Sequence, residues 1–165
     1  MKELLTNADL TSFQENVHFQ FEDDFMEDNV RCIPMVVRFK LDAIGIKLKL
    51  AEWSRFDVSE RNKLTIKNCI SSEEKMNYRN YLIELIERRC GNQPTNLVVN
   101  KTPAWANLDQ VDTSLLEKAK EYNWTISTSQ WKSLSNLQRF ALLKLYRPGH
   151  ENKNFPRAMK EFNLV

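Results

Sequence analysis

Apolar positions in this chain recur with helical spacing, and they do so twice. After Pro34, the residues Val36, Val37, Phe39, Leu41 and Ile44 are interleaved with Arg38, Lys40 and Asp42. That is the pattern of an amphipathic helix. Pro34 suits a first helical turn, where its missing N–H costs nothing. Gly45 supplies a left-handed stop, on which Ile46 can pack back. Shifted by 78 positions, Lys40 falls on Lys118, Ile44 on Tyr122, Gly45 on Asn123 and Ile46 on Trp124. The same shift carries Leu48 to Ile126, Trp53 to Trp131, Phe56 to Leu134, Arg61 to Arg139 and Leu64 to Leu142. Core positions, a helix stop and a helix start are preserved together, which marks an internal repeat.

The second copy is expected to begin at Thr113 as N-cap and to run through Leu115, Leu116, Ala119 and Tyr122 to Asn123. Asn is the next-best residue after Gly for a left-handed cap. Asp57 with Glu60, and Ser135 with Gln138, have the spacing of capping boxes. They predict helices ending near Asn68 and Tyr146. Residues Ser72 to Cys90 form the strongest single helix, with a stripe of Met76, Tyr78, Tyr81, Leu82, Leu85 and Ile86 and a stop at Gly91. A shorter counterpart is expected from about Asn154 to Phe162, stopped by Asn163. Pro94 and Pro103 mark a linker from Asn92 to Asp112. The alternation His18-Phe19-Gln20-Phe21-Glu22 reads as an extended arm that lays Phe19 and Phe21 on the helices.

These patterns predict an all-α single domain, 1–165, of two related helical halves, 34–91 and 113–163. An extended acidic N-terminal arm precedes them, and its first stretch, 1–17, is expected to be flexible. Trp53 and Trp131, at equivalent places beside a short turn, are expected to anchor the cores. Arg61 and Arg139 are expected to bond the carbonyls of the neighbouring turns.

Charge changes this picture. Residues 1–30 hold eight acids against one base, Lys2, while the remainder holds 23 bases and 14 acids. An acidic arm on its own basic body accounts for this, as does a basic face that meets an acidic partner. The bases are scattered and no glycine-rich loop accompanies them, so nucleic acid is not an expected partner. No apolar run approaches the roughly 20 residues of a membrane span, and the first residues lack a secretory pattern. The expected location is the cytoplasm, without membrane contact. Three well-separated cysteines, Cys32, Cys69 and Cys90, agree with a reducing compartment.

Candidate chemistry is sparse. The chain has no Cys-x-x-Cys, and His18 and His150 are isolated in sequence, so neither a metal nor a cofactor is expected. A nucleophile pair of Cys32 and His150 would need a geometry that spacing does not supply. Two stretches stand out instead. One is Arg31-Cys32-Ile33-Pro34-Met35. The other is Arg147-Pro148-Gly149-His150-Glu151-Asn152-Lys153-Asn154-Phe155, a Pro-Gly turn followed by five polar side chains. The second reads either as a capped loop entering the last helix or as a recognition surface held by rigid helices. The candidate binding residues are Arg147, His150, Glu151, Asn152, Lys153, Asn154, Arg31 and Cys32, with no catalytic residue among them.

With Phe19-Gln20-Phe21-Glu22, Arg31 to Met35, Arg38 to Asp42 and Gly45 to Leu48, the chain resembles the nitrate reductase-associated protein family. Gln138 to Leu142, Arg147-Pro148, His150 to Phe155 and Glu161-Phe162 resemble the end of the same family, so the likeness spans about 18–164. The resemblance implies a small non-enzymatic protein of cyanobacteria and some other bacteria. It would accompany assimilatory nitrate reductase, or its cofactor-insertion machinery, in assembly or maturation. Rival readings are a metal- or molybdenum-cofactor-handling protein that uses Cys32, His150 and Arg147, and an enzyme acting on a cofactor precursor.

Overall fold

The computed structural model describes residues 18–23 and 32–165, excepting the side chains of His150 and Glu151. The predicted flexible arm, 1–17, and Arg31 lie outside the described residues. The chain divides into two compact units, 1–99 and 100–165. The division falls inside the predicted linker. Both units are helical, and no described helix is long and apolar enough to cross a membrane.

In the first unit, α1 (Met35–Ile44) starts at Pro34 and stops at Gly45, whose φ is 72°. Proline offers no side-chain cap, so the cap comes from elsewhere: the Glu22 carboxylate accepts from Met35 N–H at 2.7 Å. Glu22 also accepts from Phe19 N–H at 3.0 Å. The Glu22 N–H in turn donates to the Phe19 carbonyl at 3.0 Å and closes Gln20–Glu22 into a 3₁₀ turn, where sequence alternation predicts an extended arm. Phe21 is buried and stacks on Phe19, ring centroids 5.2 Å apart. Burial raises the Glu22 pKa against the lowering effect of these two N–H groups.

After Gly45, Ile46–Lys47 (β1) pairs antiparallel with Thr95–Asn96 (β2), the two strands found among the described residues. The predicted linker thus contributes a strand. Helix α2 (Leu50–Arg55) carries Trp53, which is fully buried. Helix α3 (Val58–Ile66) opens on the predicted capping box: Glu60 N–H donates to Asp57, and Asp57 N–H donates to Glu60. Helix α4 (Ser72–Cys90) packs Tyr78, Leu82, Leu85 and Ile86 inward and ends at Gly91. Met76, expected in that stripe, is exposed. It stands two residues before Tyr78, about 200° round the helix from it, and so faces away from the core. Arg79 of α4 donates to the Ile44 carbonyl at 2.7 Å and to Asn96 Oδ1 at 2.6 Å, joining the end of α1 to β2.

In the second unit, Ala104–Ala106 forms a 3₁₀ turn, followed by α5 (Thr113–Lys120). The N-cap of α5 is Asp112, whose carboxylate accepts from Leu115 N–H at 3.0 Å. Thr113, the predicted cap, is the first helical residue, because a carboxylate one position earlier reaches the same free N–H groups. Asn123 takes the left-handed conformation, φ 59°. Helix α6 (Thr128–Ser133) carries the fully buried Trp131, and α7 (Asn136–Leu145) opens on the predicted Ser135–Gln138 box. A 3₁₀ turn (His150–Asn154) leads into α8 (Phe155–Glu161), and Asn163 beyond it has φ 56°. The offset of 78 therefore carries Gly45 onto Asn123, both left-handed, and α2 onto α6.

Both arginines act on their turns as expected. Arg61 donates to the carbonyls of Trp53 at 3.2 Å and Ser54 at 3.0 Å, with its guanidinium 5.8 Å from the Trp53 ring centre. Arg139 donates to the carbonyls of Trp131, Leu134 and Trp105 and to Asn136 Oδ1. Its guanidinium stands 5.9 Å from the Trp131 ring centre. Burial lowers the Arg139 pKa. The indoles differ in one respect. Trp131 Nε1 donates to the Asn107 carbonyl at 2.8 Å, whereas the buried Trp53 Nε1 has no partner among the described residues.

Two predictions follow from these contacts. A Cβ on Gly45 would stand 2.7 Å from the Leu97 carbonyl oxygen, whereas one on Gly91 would meet nothing within 4 Å. The left-handed backbone alone makes Gly91→Ala destabilising by about 1–2 kcal/mol. Gly45→Ala adds a clash and should lose clearly more in urea unfolding; equal losses would refute the steric part. Trp131→Phe strands a carbonyl and should cost about 1–2 kcal/mol beyond Trp53→Phe, which abandons no bond. Circular dichroism melts of the two variants make that comparison.

Candidate functional site

The stretch after α7 is organised by a side chain that points inward. A helix end leaves its last carbonyls without partners. Here the Asn152 amide turns back and donates to the carbonyls of Leu145 at 3.4 Å, Tyr146 at 3.2 Å and Arg147 at 3.2 Å. Two N–H groups serve three acceptors, so one bond is shared. The chain can curl back this way because Gly149 adopts φ 147°, ψ −174°, a region that side-chain-bearing residues avoid. No neighbouring atom would meet a Cβ there, so the backbone and not lack of space calls for glycine. Asn152 N–H donates to the Gly149 carbonyl at 3.2 Å and closes the turn.

Asn154 also points inward. It is 2% exposed, and its Oδ1 accepts from Arg157 at 3.4 Å. Phe155 follows, fully buried, with its ring 6.0 Å from that of Tyr122. Pro156 occupies the first turn of α8, where proline is tolerated. Arg147 and Lys153 are exposed. The predicted polar site is thus divided: Asn152 and Asn154 build the turn, while Arg147 and Lys153 face solvent from it. His150 and Glu151 contribute backbone to the same 3₁₀ turn.

Cys32 belongs to the first unit. It is half-buried and precedes Ile33, which packs against the core of that unit. Cys69 is buried and Cys90 half-buried, and desolvation raises both thiol pKa values, which favours the protonated form. Among the described residues, no three His, Cys, Asp or Glu side chains are grouped to hold a metal ion. An open depression in the second unit is lined by Ala104, Asn107, Gln110, Val111, Asp112 and Thr113. Its two strongest polar groups have other duties, since Asp112 caps α5 and the Asn107 carbonyl holds Trp131.

The role of Asn152 has a counterpart in the first unit. Lys67 in the first copy corresponds to Leu145 in the second. The Lys67 carbonyl is likewise taken by a side chain, that of Lys40, whose ammonium donates to Thr65 O at 2.6 Å and Lys67 O at 2.8 Å. Lys118, the counterpart of Lys40, pairs instead with Glu121 at 2.7 Å. A helix end in need of a cap, whose expected lysine is engaged elsewhere, points to a substitute downstream.

A family model described as "Conserved nitrate reductase-associated protein" matches residues 18–162. Comparison with curated proteins and with solved structures finds no match.

The Asn152 cap is testable by itself. Asn152→Ala removes the donors to three carbonyls and should destabilise the second unit by about 1–2 kcal/mol, the range for lost caps. Lys153→Ala, one residue on and exposed, should stay within about 0.5 kcal/mol of wild type. Urea unfolding followed by circular dichroism compares them. Indistinguishable variants would remove Asn152 from the cap.

Proposed function

This chain belongs to the nitrate reductase-associated protein family, and on that premise we propose that it is a non-enzymatic accessory or maturation factor for assimilatory nitrate reductase. It acts by protein–protein contact, with the apo-enzyme or with the machinery that inserts its cofactor. The family match is the observation that carries this reading.

The contact surface is the Arg147–Asn154 turn of the second unit; Arg31 and Cys32, candidates from the sequence pattern, would form a separate contact. Two features of the turn support that choice. Its shape is held by Asn152, bonded to the carbonyls of Leu145, Tyr146 and Arg147 at the end of α7, and by Asn154, bonded to Arg157. Its exposed charges, Arg147 and Lys153, therefore project from a backbone already in place. Little ordering entropy then remains to be lost when a partner binds, so more of the interaction free energy appears as affinity.

Polar contacts desolvated at the centre of an interface each matter by about 1–3 kcal/mol. Loss of several together should weaken binding by orders of magnitude. The combined variant Arg147→Ala, His150→Ala, Lys153→Ala retains the Asn152 cap. It is expected to stay folded and soluble while failing to support nitrate reductase activity in its host. Enzyme activity is measured beside the variant's own melting temperature. Native activity would show that the turn is not the contact surface, and a joint fall of activity and melting temperature would make it a structural element.

A further inference from the structure

We infer that the outer edge of β2 is a self-association surface, where the chain pairs with a second copy of itself across a two-fold axis. Leu97 N–H donates to the Gly45 carbonyl at 2.8 Å, and this fixes which peptide groups face β1. In an antiparallel pair, bonded and non-bonded positions alternate along the strand. With Ile46 opposite Asn96 and Lys47 opposite Thr95, Thr95 and Leu97 turn their peptide groups to β1. Asn96 and Val98 turn theirs outward, and among the described residues nothing bonds those groups. The chain stays alongside Gly45 as far as Val99, whose Cγ2 would stand 3.0 Å from a Cβ on that glycine. The outward row therefore continues past the end of β2. Leu97, Val98 and Val99 are all exposed, Val98 at 97%.

An unpaired edge recruits another strand unless a charge, a proline or a bulge blunts it. Residues 95–100, Thr-Asn-Leu-Val-Val-Asn, hold neither charge nor proline. Two properties of this edge select a second copy of the chain as its occupant. The first is that its outward groups complement themselves. With Leu97 on a two-fold axis, Asn96 of each copy falls opposite Val98 of the other. Each such pair exchanges N–H and C=O in both directions, as antiparallel strands require. The second property is charge. A two-fold contact sets any charge on the axis beside its own copy, and residues 91–100 carry none, in a chain of which 28% is charged. An acidic or basic partner has nothing on this edge to pair with. Leu97 meets its own copy at the axis, in the non-bonded position where Cα atoms stand about 4.5 Å apart. About five residues a side fall far below the roughly 20–30 of a standard interface, so the dimer is weak and depends on concentration.

The test is analytical ultracentrifugation of the full-length protein from micromolar to near-millimolar concentration. Wild type is expected to show a monomer–dimer equilibrium. Leu97→Lys and Leu97→Glu, each alone, should stay monomeric over the same range, because like charges directly opposite one another repel. An equal mixture of the two variants should dimerise again, since residue 97 of one copy faces residue 97 of the other. Amide hydrogen exchange reads the same pairing in the wild type without a substitution. The amides of Asn96 and Val98 should slow severalfold as concentration rises, while that of Leu97, already bonded to Gly45, should change least. A wild type that is monomeric throughout would overturn the proposal. So would single variants that dimerise like wild type, a mixture that remains monomeric, or a dimer in which the Asn96 and Val98 amides exchange as fast as in the monomer. Should either variant melt below wild type, sedimentation and exchange of the wild type decide alone.

Discussion

A buried tryptophan, held by an arginine that bonds its own turn, organises each unit. The helices that carry Trp53 and Trp131 have six residues each, too few to persist alone, because helix nucleation is unfavourable and must be repaid by length or by packing. Burial of an indole supplies the packing, removing on the order of 150–250 Å² from water. The cost is a set of turn carbonyls that leave water with it. Arg61 and Arg139 meet that need from the following helix, each reaching back to the tryptophan's own carbonyl and standing near its ring. Short helix, turn and capped helix thereby become one piece, against which α4 packs in the first unit and α8 in the second.

The ends of those helices are where the two units part. Both α3 and α7 need their last carbonyls satisfied. In the first unit Lys40 reaches across from α1, and in the second Asn152 reaches back from the chain that follows. An ammonium and an amide fill similar positions with different consequences. Lys40 links two helices and leaves the chain after α3 free to enter the long α4. Asn152 pulls the chain after α7 into a tight turn, and the shorter α8 starts from it.

This difference gives the second unit its candidate surface. The turn is needed to close α7, so its backbone is defined before any partner arrives. Arg147 and Lys153 are exposed on this stretch, and α8 after it buries Phe155, Ala158 and Met159. On the proposed reading, stability and recognition would be served by alternate residues of one short segment. A variant at Asn152 and one at Lys153 should therefore differ in what they disturb.

The sequence alone determined what depends on neighbours a few residues away. Gly45, Gly91 and the boxes at Asp57 and Ser135 stop and start helices by local backbone and hydrogen-bond rules where predicted, and Asn123 takes the predicted left-handed conformation although α5 already ends at Lys120. The tryptophans were legible as core because their repeat preserved them with the surrounding apolar positions. Tertiary structure decided what depends on distant partners. Met35 N–H is capped by Glu22, thirteen residues away, and the segment predicted as an extended arm is a 3₁₀ turn that places this carboxylate. The linker contributes β2 because Arg79 and the backbone at Gly45 hold it. In the polar stretch, residue types showed the capacity to hydrogen-bond, but no local rule distinguished an asparagine that closes a helix from a lysine that faces water. That choice belongs to the carbonyls that burial brings within reach, and only the folded chain puts them there.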